Sequence, residues 1–156
     1  MKQIEEKIRE HSNMVYKIAF LMLKNQEDAE EVYQDTFIKL YENFRKMKND
    51  EHMKNWLIRV TINNCKMLMR KRKRENLVEL DENVLVDDEN LNINSIEAVK
   101  RLPEKYRIVI YLFYYEQYKV SEISQILKIS DGTIKSQLSR AREMLKKELK
   151  EEFDYE

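Results

Sequence analysis

Glycine, proline and cysteine are nearly missing from this 156-residue sequence, which contains one residue of each kind. The single glycine, Gly132, cannot supply a glycine-rich loop that cradles phosphates, and the tight turns of β-hairpins would need more glycine and proline. The single cysteine, Cys65, excludes an internal disulfide and a cysteine-based metal cluster. These shortages exclude most nucleotide-binding and all-β folds and predict an all-α protein.

Long apolar runs are also missing. The most apolar stretch, residues 14–23, contains Tyr16 and Lys17 and is far shorter than the roughly 20 residues that cross a bilayer. The N-terminal residues MKQIEEKIRE mix acids and bases, and no apolar core of a signal peptide follows them. We therefore expect a cytoplasmic protein that does not insert into a membrane.

Charge is plentiful but unevenly distributed, because the 29 basic and 29 acidic residues cancel only over the whole chain. Residues 24–44 have an excess of four acids, and residues 51–74 have an excess of seven bases that ends in the run RKRKR. Residues 75–95 contain seven acids and no base. Blocks of opposite sign favour separate surfaces for separate partners, although solvated helix faces are the alternative.

Helical periodicity predicts two domains with a linker between them. Residues 75–95 lack a helical period and are rich in Asn and Asp, so they predict the acidic linker. Residues 1–74 predict three amphipathic helices, and residues 96–156 predict a second helical domain. In that domain residues 102–116 predict one buried helix, with Pro103 at its first helical position. The predicted apolar face of the second helix comprises Ala29, Val32, Tyr33, Thr36, Phe37, Leu40, Tyr41 and Phe44.

Residues 120–147 have the pattern of a helix-turn-helix. Two short helices are predicted around a connector at 128–130, and Ser121 and Ser130 suit the positions that cap each helix start. The exposed face of the second helix would carry side chains suited to phosphates and base edges. These are Thr133, Lys135, Ser136, Ser139, Arg140 and Arg142. A packed helical hairpin without a DNA-binding role is the alternative.

Together these segments resemble the extracytoplasmic-function (ECF) class of bacterial sigma factors over nearly the whole chain. DAEEVYQDTFIKLYENF, at residues 28–44, is similar to the family helix that binds the coiled coil of the largest catalytic subunit of RNA polymerase. WLIRVTINNCKMLMRKRKR, at residues 56–74, resembles the region that recognises and melts the −10 element. VSEISQILKISDGTIKSQLSRAREMLKK, at residues 120–147, is similar to the helix-turn-helix that binds the −35 element, and its most specific part includes DGTIKSQLSRARE.

The resemblance implies an all-α fold of two small helical domains, called sigma-two and sigma-four, joined by the acidic linker. It implies a promoter-specificity subunit that binds bacterial RNA polymerase core and promoter DNA and is commonly restrained by an anti-sigma factor. It implies no catalytic residue, no metal and no cofactor. By position, the polymerase-binding residues would be Glu31, Gln34 and Asp35.

The same resemblance assigns roles at the −10 element. Asn63 would capture a base flipped out of the DNA, although it could also be a polar helix residue without a role. Trp56 would stack on a base or else belong to the core. Neutralisation of backbone phosphates would fall to Arg59, Lys66 and Arg70. The chain departs from the family at Gln137, where many relatives have arginine, and near Met47, where an aromatic residue is common.

Two other functions remain open on the sequence. A stand-alone helix-turn-helix regulator would bind DNA without polymerase, usually at a palindrome. A helical adaptor would bind proteins only. An enzyme is the weakest alternative because His11 and His52 lack the spacing of a metal site or a catalytic triad, and we expect both to be surface or capping residues. Cys65 is expected to serve packing.

Overall fold

The computed structural model describes residues 2–75 and 93–154, and the described residues are helical with no strand. The all-α prediction is therefore confirmed. These described residues form seven α-helices in chain order: α1 Lys2–Leu23, α2 Gln26–Asn43, α3 Asp50–Arg74, α4 Ile93–Lys100, α5 Glu104–Ile110, α6 Val120–Leu127 and α7 Asp131–Asp154. A short 3-10 turn, Phe44–Lys46, follows α2, and a π-helical turn, Tyr111–Tyr115, follows α5.

The chain divides into two compact units, residues 1–86 and 87–156. Most of the predicted linker, residues 76–92, lies outside the described residues. Helix α4 begins at Ile93, three residues before the start that the sequence predicts for the second domain at residue 96.

The first unit is a three-helix bundle in which α1, α2 and α3 each pack against the other two. Its core consists of fully buried apolar side chains, and burial of such side chains is the main driving force of folding. They include Val15, Ile18, Ala19, Ala29, Leu40, Leu57, Ile58 and Cys65. The packing role expected for Cys65 is thereby confirmed.

The starts of α2 and α3 are capped by asparagine side chains. Asn25 Oδ1 accepts the Asp28 N–H at 3.0 Å, and Asn49 Oδ1 accepts the His52 N–H at 2.8 Å. Acidic residues in the first turn of each helix favour the same ends because they face the positive pole of the helix dipole. Local sequence therefore determines where both helices begin.

The second unit differs from the sequence prediction between residues 102 and 116. Pro103 precedes the first helical residue instead of occupying it, and its carbonyl accepts the Tyr106 N–H at 2.9 Å. Helix α5 ends at Ile110, and the π-helical turn that follows holds an extra residue per turn. The turn rotates the last aromatic side chains away from the core, which leaves Tyr114 49% exposed.

The helix-turn-helix is formed by α6 and α7, whose buried side chains include Ile123, Ile134 and Leu138. The turn between them depends on Lys128, whose φ of 56° is in the left-handed region that glycine adopts more easily. Ser130 caps α7 as predicted, because its Oγ accepts the Thr133 N–H at 3.2 Å.

The cap predicted at Ser121 is wrong. Helix α6 already begins at Val120, one residue before Ser121. The Glu122 carboxylate accepts the Lys119 N–H at 3.0 Å, so this glutamate satisfies the backbone group ahead of the helix.

Replacing Lys128 by glycine should stabilise the second unit. A left-handed conformation costs a residue with a Cβ about 1–2 kcal/mol, and the extra freedom of glycine in the unfolded chain offsets part of that gain. We expect Lys128→Gly to raise the free energy of opening of α6 and α7 by about 0.5–1 kcal/mol, measured by native-state hydrogen exchange. The control Gln125→Gly, inside α6, should lower it by about the same amount. The prediction is contradicted if both variants raise, or both lower, the free energy of opening of α6 and α7.

Candidate nucleic-acid and polymerase interfaces

One face of α3 carries all five residues predicted to act at the −10 element. At about 100° per residue, they fall within an arc of about 80°, opposite the side that packs on α1 and α2. We call this face the α3 stripe: Trp56, Arg59, Asn63, Lys66 and Arg70. Four of the five are exposed. Trp56 is half-buried, so its ring is partly packed and partly available for stacking.

A buried polar network fixes the rotation of α3. Asn64 is only 8% exposed, and its Nδ2 donates to the Thr36 hydroxyl at 3.3 Å. Lys39 Nζ donates to Asn64 Oδ1 at 3.0 Å. Because neighbouring residues on a helix point about 100° apart, burial of Asn64 on α2 turns Asn63 outward. The sequence offered a signal for this network, since Asn64 is a polar residue that continues the helical spacing of the apolar residues Met53, Leu57 and Val60.

The exposed face of α2 combines acids with apolar side chains. Glu31, Gln34 and Asp35 are all exposed, as their predicted contact with a partner requires. Ile38 and Tyr41 on the same side are 56% and 63% exposed. The prediction that Tyr41 lies on the buried face is therefore wrong, and helical spacing did not predict the exposed apolar side chain of Ile38. At about 100° per residue, Ile38 lies opposite the centre of the buried face, and Tyr41 lies about 120° from that centre.

All six residues predicted to act at the −35 element are exposed on α7, while Ile134, Leu138 and Ala141 face the core. Two of the six also contact the region around α5. Arg142 Nε donates to the Tyr114 hydroxyl, and the guanidinium lies 5.5 Å from the centre of the Phe113 ring. A hydrogen bond with Arg140 lowers the pKa of Tyr106, since the cation favours the phenolate. The other four residues predicted to act at the −35 element are Thr133, Lys135, Ser136 and Ser139.

A small ionic cluster joins α1 to the start of α3. His11 is buried, which corrects the expectation of a surface residue, and its Nε2 lies 3.3 Å from Asp50 Oδ1. Lys7 Nζ bonds the same oxygen at 2.8 Å and Glu10 at 3.1 Å. Glu10, His11 and Asp50 bring their polar atoms within 4.8 Å of one another, but the Lys7 ammonium already bonds both carboxylates.

The other histidine has the capping role that the sequence suggested. His52 lies in the first turn of α3, and its Nδ1 accepts the Lys48 N–H at 3.2 Å.

Burial raises the pKa of Tyr111 in the second unit, and its hydroxyl donates to Glu116 at 2.8 Å. Both His52 and Tyr111 form hydrogen bonds within their own unit, and neither is among the residues predicted to contact DNA.

Two family models match the chain, one in each unit. They are Sigma-70 region 2 at residues 8–75 and Sigma-70, region 4 at residues 96–145. The chain is 29% identical over 160 residues to the ECF RNA polymerase sigma factor SigW of Bacillus subtilis, covering 90% of this chain and 86% of that protein. This chain belongs to the ECF family of bacterial RNA polymerase sigma factors. The sigma factor is also 27% identical over 150 residues to the RNA polymerase sigma factor SigV of Bacillus subtilis, with coverage of 93% and 90%.

Two solved structures have a similar fold. RpoE of Bartonella quintana, in complex with the anti-sigma factor NepR, matches with a TM-score of 0.81, 24% identity and coverage of 96% of this chain and 98% of that chain. CnrH, in complex with the cytosolic domain of CnrY, matches with a TM-score of 0.67, 21% identity and coverage of 96% and 88%. In the described part of the sigma factor, no helix combines the length and apolarity needed to cross a membrane.

The network at Asn64 gives a stability prediction. Asn64→Leu and Thr36→Val each leave a buried polar partner without its hydrogen bond, so each should lower the free energy of unfolding by about 1–3 kcal/mol. The double variant removes both polar groups and should lose less than the sum of the two losses. Urea unfolding measures all three. Asn63→Leu, on the exposed side, is the control and should change stability by less than about 0.5 kcal/mol. If the double variant loses as much free energy of unfolding as the two single variants together, the interaction between Asn64 and Thr36 is refuted.

The Asp50 cluster gives a pH prediction. The Lys7 hydrogen bond lowers the pKa of Asp50, so this carboxylate stabilises the fold above the usual carboxyl range, and its contribution is lost as the pH falls through the lowered pKa. Asp50→Asn should therefore reduce the urea midpoint at pH 7, and the difference from the unsubstituted protein should shrink as the solution is acidified. Glu51→Gln, also exposed in the first turn of α3, should have a smaller effect. A difference that grows in acid would contradict the assignment.

Proposed function

We propose that this sigma factor directs transcription initiation through three surfaces, one for polymerase and two for promoter DNA. The observation that carries the proposal is the α3 stripe, where an exposed asparagine stands among basic side chains on one line. The other two surfaces are the acidic and apolar face of α2 and the exposed face of α7. Neither DNA-binding surface contains a catalytic arrangement, and we propose that the protein acts without chemistry of its own.

Asn63 has the chemistry needed to capture a base. Its carboxamide can both donate and accept hydrogen bonds at a base edge, and such bonds offset the few kcal/mol that unstacking costs. Arg59, Lys66 and Arg70 would neutralise phosphates of the same strand, which makes binding strongly dependent on salt. The partly exposed ring of Trp56 would stack on a base at the other end of the stripe.

The first turns of α7 are suited to the major groove of the −35 element. In helix-turn-helix proteins the N-terminal part of the second helix contacts base edges, and here that part carries Thr133, Lys135, Ser136 and Ser139. Arg140 and Arg142 lie further along, where tyrosines of the same unit hold them. We propose that these two arginines bind backbone phosphates and orient the helix.

The face of α2 has the composition of a protein-binding surface. Ile38 and Tyr41 provide an apolar part, and the polar side chains of Glu31, Gln34 and Asp35 lie next to it, toward the start of the helix. We propose that this face binds a basic and apolar surface of the polymerase core, on the coiled coil of its largest catalytic subunit. The acids would speed association with a basic partner.

The remaining assignments follow from the family. We propose a sigma-two domain at residues 1–74, an acidic linker at 75–95 that mimics nucleic acid near the RNA exit path, and a sigma-four domain at 96–156. The protein would act in the cytoplasm, where RNA polymerase works. Because RpoE of Bartonella quintana is described in complex with the anti-sigma factor NepR, we propose that an anti-sigma factor restrains this protein as well.

Run-off transcription tests the function. Purified bacterial core polymerase is supplied with genomic fragments of the source organism, with and without the sigma factor. We expect discrete new start sites preceded by a shared two-part motif. No new starts, together with tight binding of DNA in the absence of polymerase, would favour a stand-alone regulator instead.

Asn63→Ala tests the base-capture role on a promoter found in that way. Loss of a base contact worth about 1–3 kcal/mol should reduce open complexes by about 5- to 150-fold. Permanganate reactivity of melted thymines measures the open complexes, while polymerase binding to the variant should be unchanged. Asn13→Ala, at an exposed asparagine of α1, is the matched control and should open DNA normally. The role is refuted if both variants open the promoter as well as the unsubstituted protein does.

A further inference from the structure

The end of α3 carries the basic run RKRKR at residues 70–74, beyond the core of the first unit. Cys65 is the last buried residue of the helix, and none of residues 66–75 is buried. Leu68 and Met69 are half-buried, but residues 70–74 contain no apolar residue, so apolar packing does not determine which way the five basic side chains point. A polar interaction can therefore add to what holds this end of the helix against the bundle.

An ion pair supplies that interaction. Arg72 bonds the Asp28 carboxylate in the first turn of α2, and the two side chains are 36% and 16% exposed. At about 100° per residue, Arg72 lies about 160° from Trp56, on the side of α3 that faces the bundle. A guanidinium paired with a carboxylate adds little net charge to the DNA-binding side.

Two other members of the run continue the α3 stripe. At about 100° per residue, Arg74 has the same angular position as Trp56, and Lys73 lies within about 20° of Lys66. Both side chains are exposed, and in residues 2–75 neither forms an ion pair that the structure describes. Lys71 is exposed as well, but it lies between the α3 stripe and the side of α3 that faces the bundle.

The length of the extended stripe suits a single strand of DNA. Arg74 follows Asn63 by 11 residues, or about 16 Å along the helix axis. Along the axis of a duplex, one strand rises about 3.4 Å per phosphate, so this distance corresponds to about five nucleotides of a strand that keeps the duplex rise and to fewer if the strand is extended. A strand whose base enters at Asn63 can therefore bring later phosphates to Lys73 and Arg74.

We propose that the basic run has two separate roles. Arg72 fastens the end of α3 to α2 through Asp28, while Lys73 and Arg74 bind phosphates of the DNA strand that supplies the base for Asn63. Lys71 has neither role. This inference rests on the proposed function and adds two phosphate-binding residues to it.

Salt dependence separates the roles. Full-length protein with core polymerase is titrated onto a promoter identified by run-off transcription, at several salt concentrations. Lys73→Gln and Arg74→Gln should each reduce the slope of log affinity against log salt by about 0.7–0.9, the value for one phosphate contact. Arg72→Gln and the matched control Lys71→Gln should leave the slope unchanged.

Thermal unfolding of the same full-length variants tests the ion pair. Arg72→Gln and Asp28→Asn should each lower the unfolding midpoint of the first unit by about 2 to 5 °C, and the double variant should lower it by no more than either alone. Lys71→Gln, Lys73→Gln and Arg74→Gln should leave the midpoint unchanged.

Two results would overturn the division of roles alone. In one, Arg72→Gln lowers the salt slope as much as Arg74→Gln does. In the other, Lys73→Gln and Arg74→Gln behave like Lys71→Gln while the unsubstituted protein still forms promoter complexes with polymerase. Failure of the unsubstituted protein to form any such complex would overturn the proposed function together with the inference.

Discussion

The packing of α3 against α2 is the constraint on which the first unit depends. Burial of apolar side chains such as Leu57 and Ile58 holds α3 in the bundle, but apolar packing tolerates small rotations. The bonds of Asn64 to Thr36 and Lys39 are directional, so they select one rotation of α3. That rotation turns the α3 stripe to solvent, while α2 keeps its acidic and apolar face free on another side of the bundle.

In the second unit, other interactions fix the orientation of α7 and of its exposed side chains. Lys128 adopts a left-handed conformation that ends α6 and starts the turn into α7. The π-helical turn after α5 then brings Tyr114 to the side of α7, where it bonds Arg142. A recognition helix must present its side chains in a fixed direction to a rigid groove, and contacts of this kind reduce the freedom of long arginine side chains before DNA arrives.

The positions of the helices explain how a chain with no net charge can carry separate acidic and basic surfaces. Zero net charge weakens indiscriminate attraction to DNA, and separate acidic and basic faces still allow the protein to meet two partners of opposite sign. The acids of α2 stand beside exposed apolar side chains, whereas the bases of α3 stand beside a carboxamide and an indole. The first combination is typical of a protein interface, and the second is typical of a surface that binds a nucleic-acid strand.

The sequence by itself determined the all-α class and the helix-turn-helix, because these depend on helical spacing and on caps within a few residues. The five residues of the α3 stripe came from the family resemblance, and the structure places them on one face. Only the tertiary structure decided that Tyr41 is exposed, that His11 is buried against Asp50 and that Arg72 pairs with Asp28. The same holds for the π-helical turn, which interrupts a stretch whose apolar pattern predicts one continuous helix. These features depend on which neighbour covers each face of a helix, and partners separated by about 40 residues leave no periodic signal in the chain.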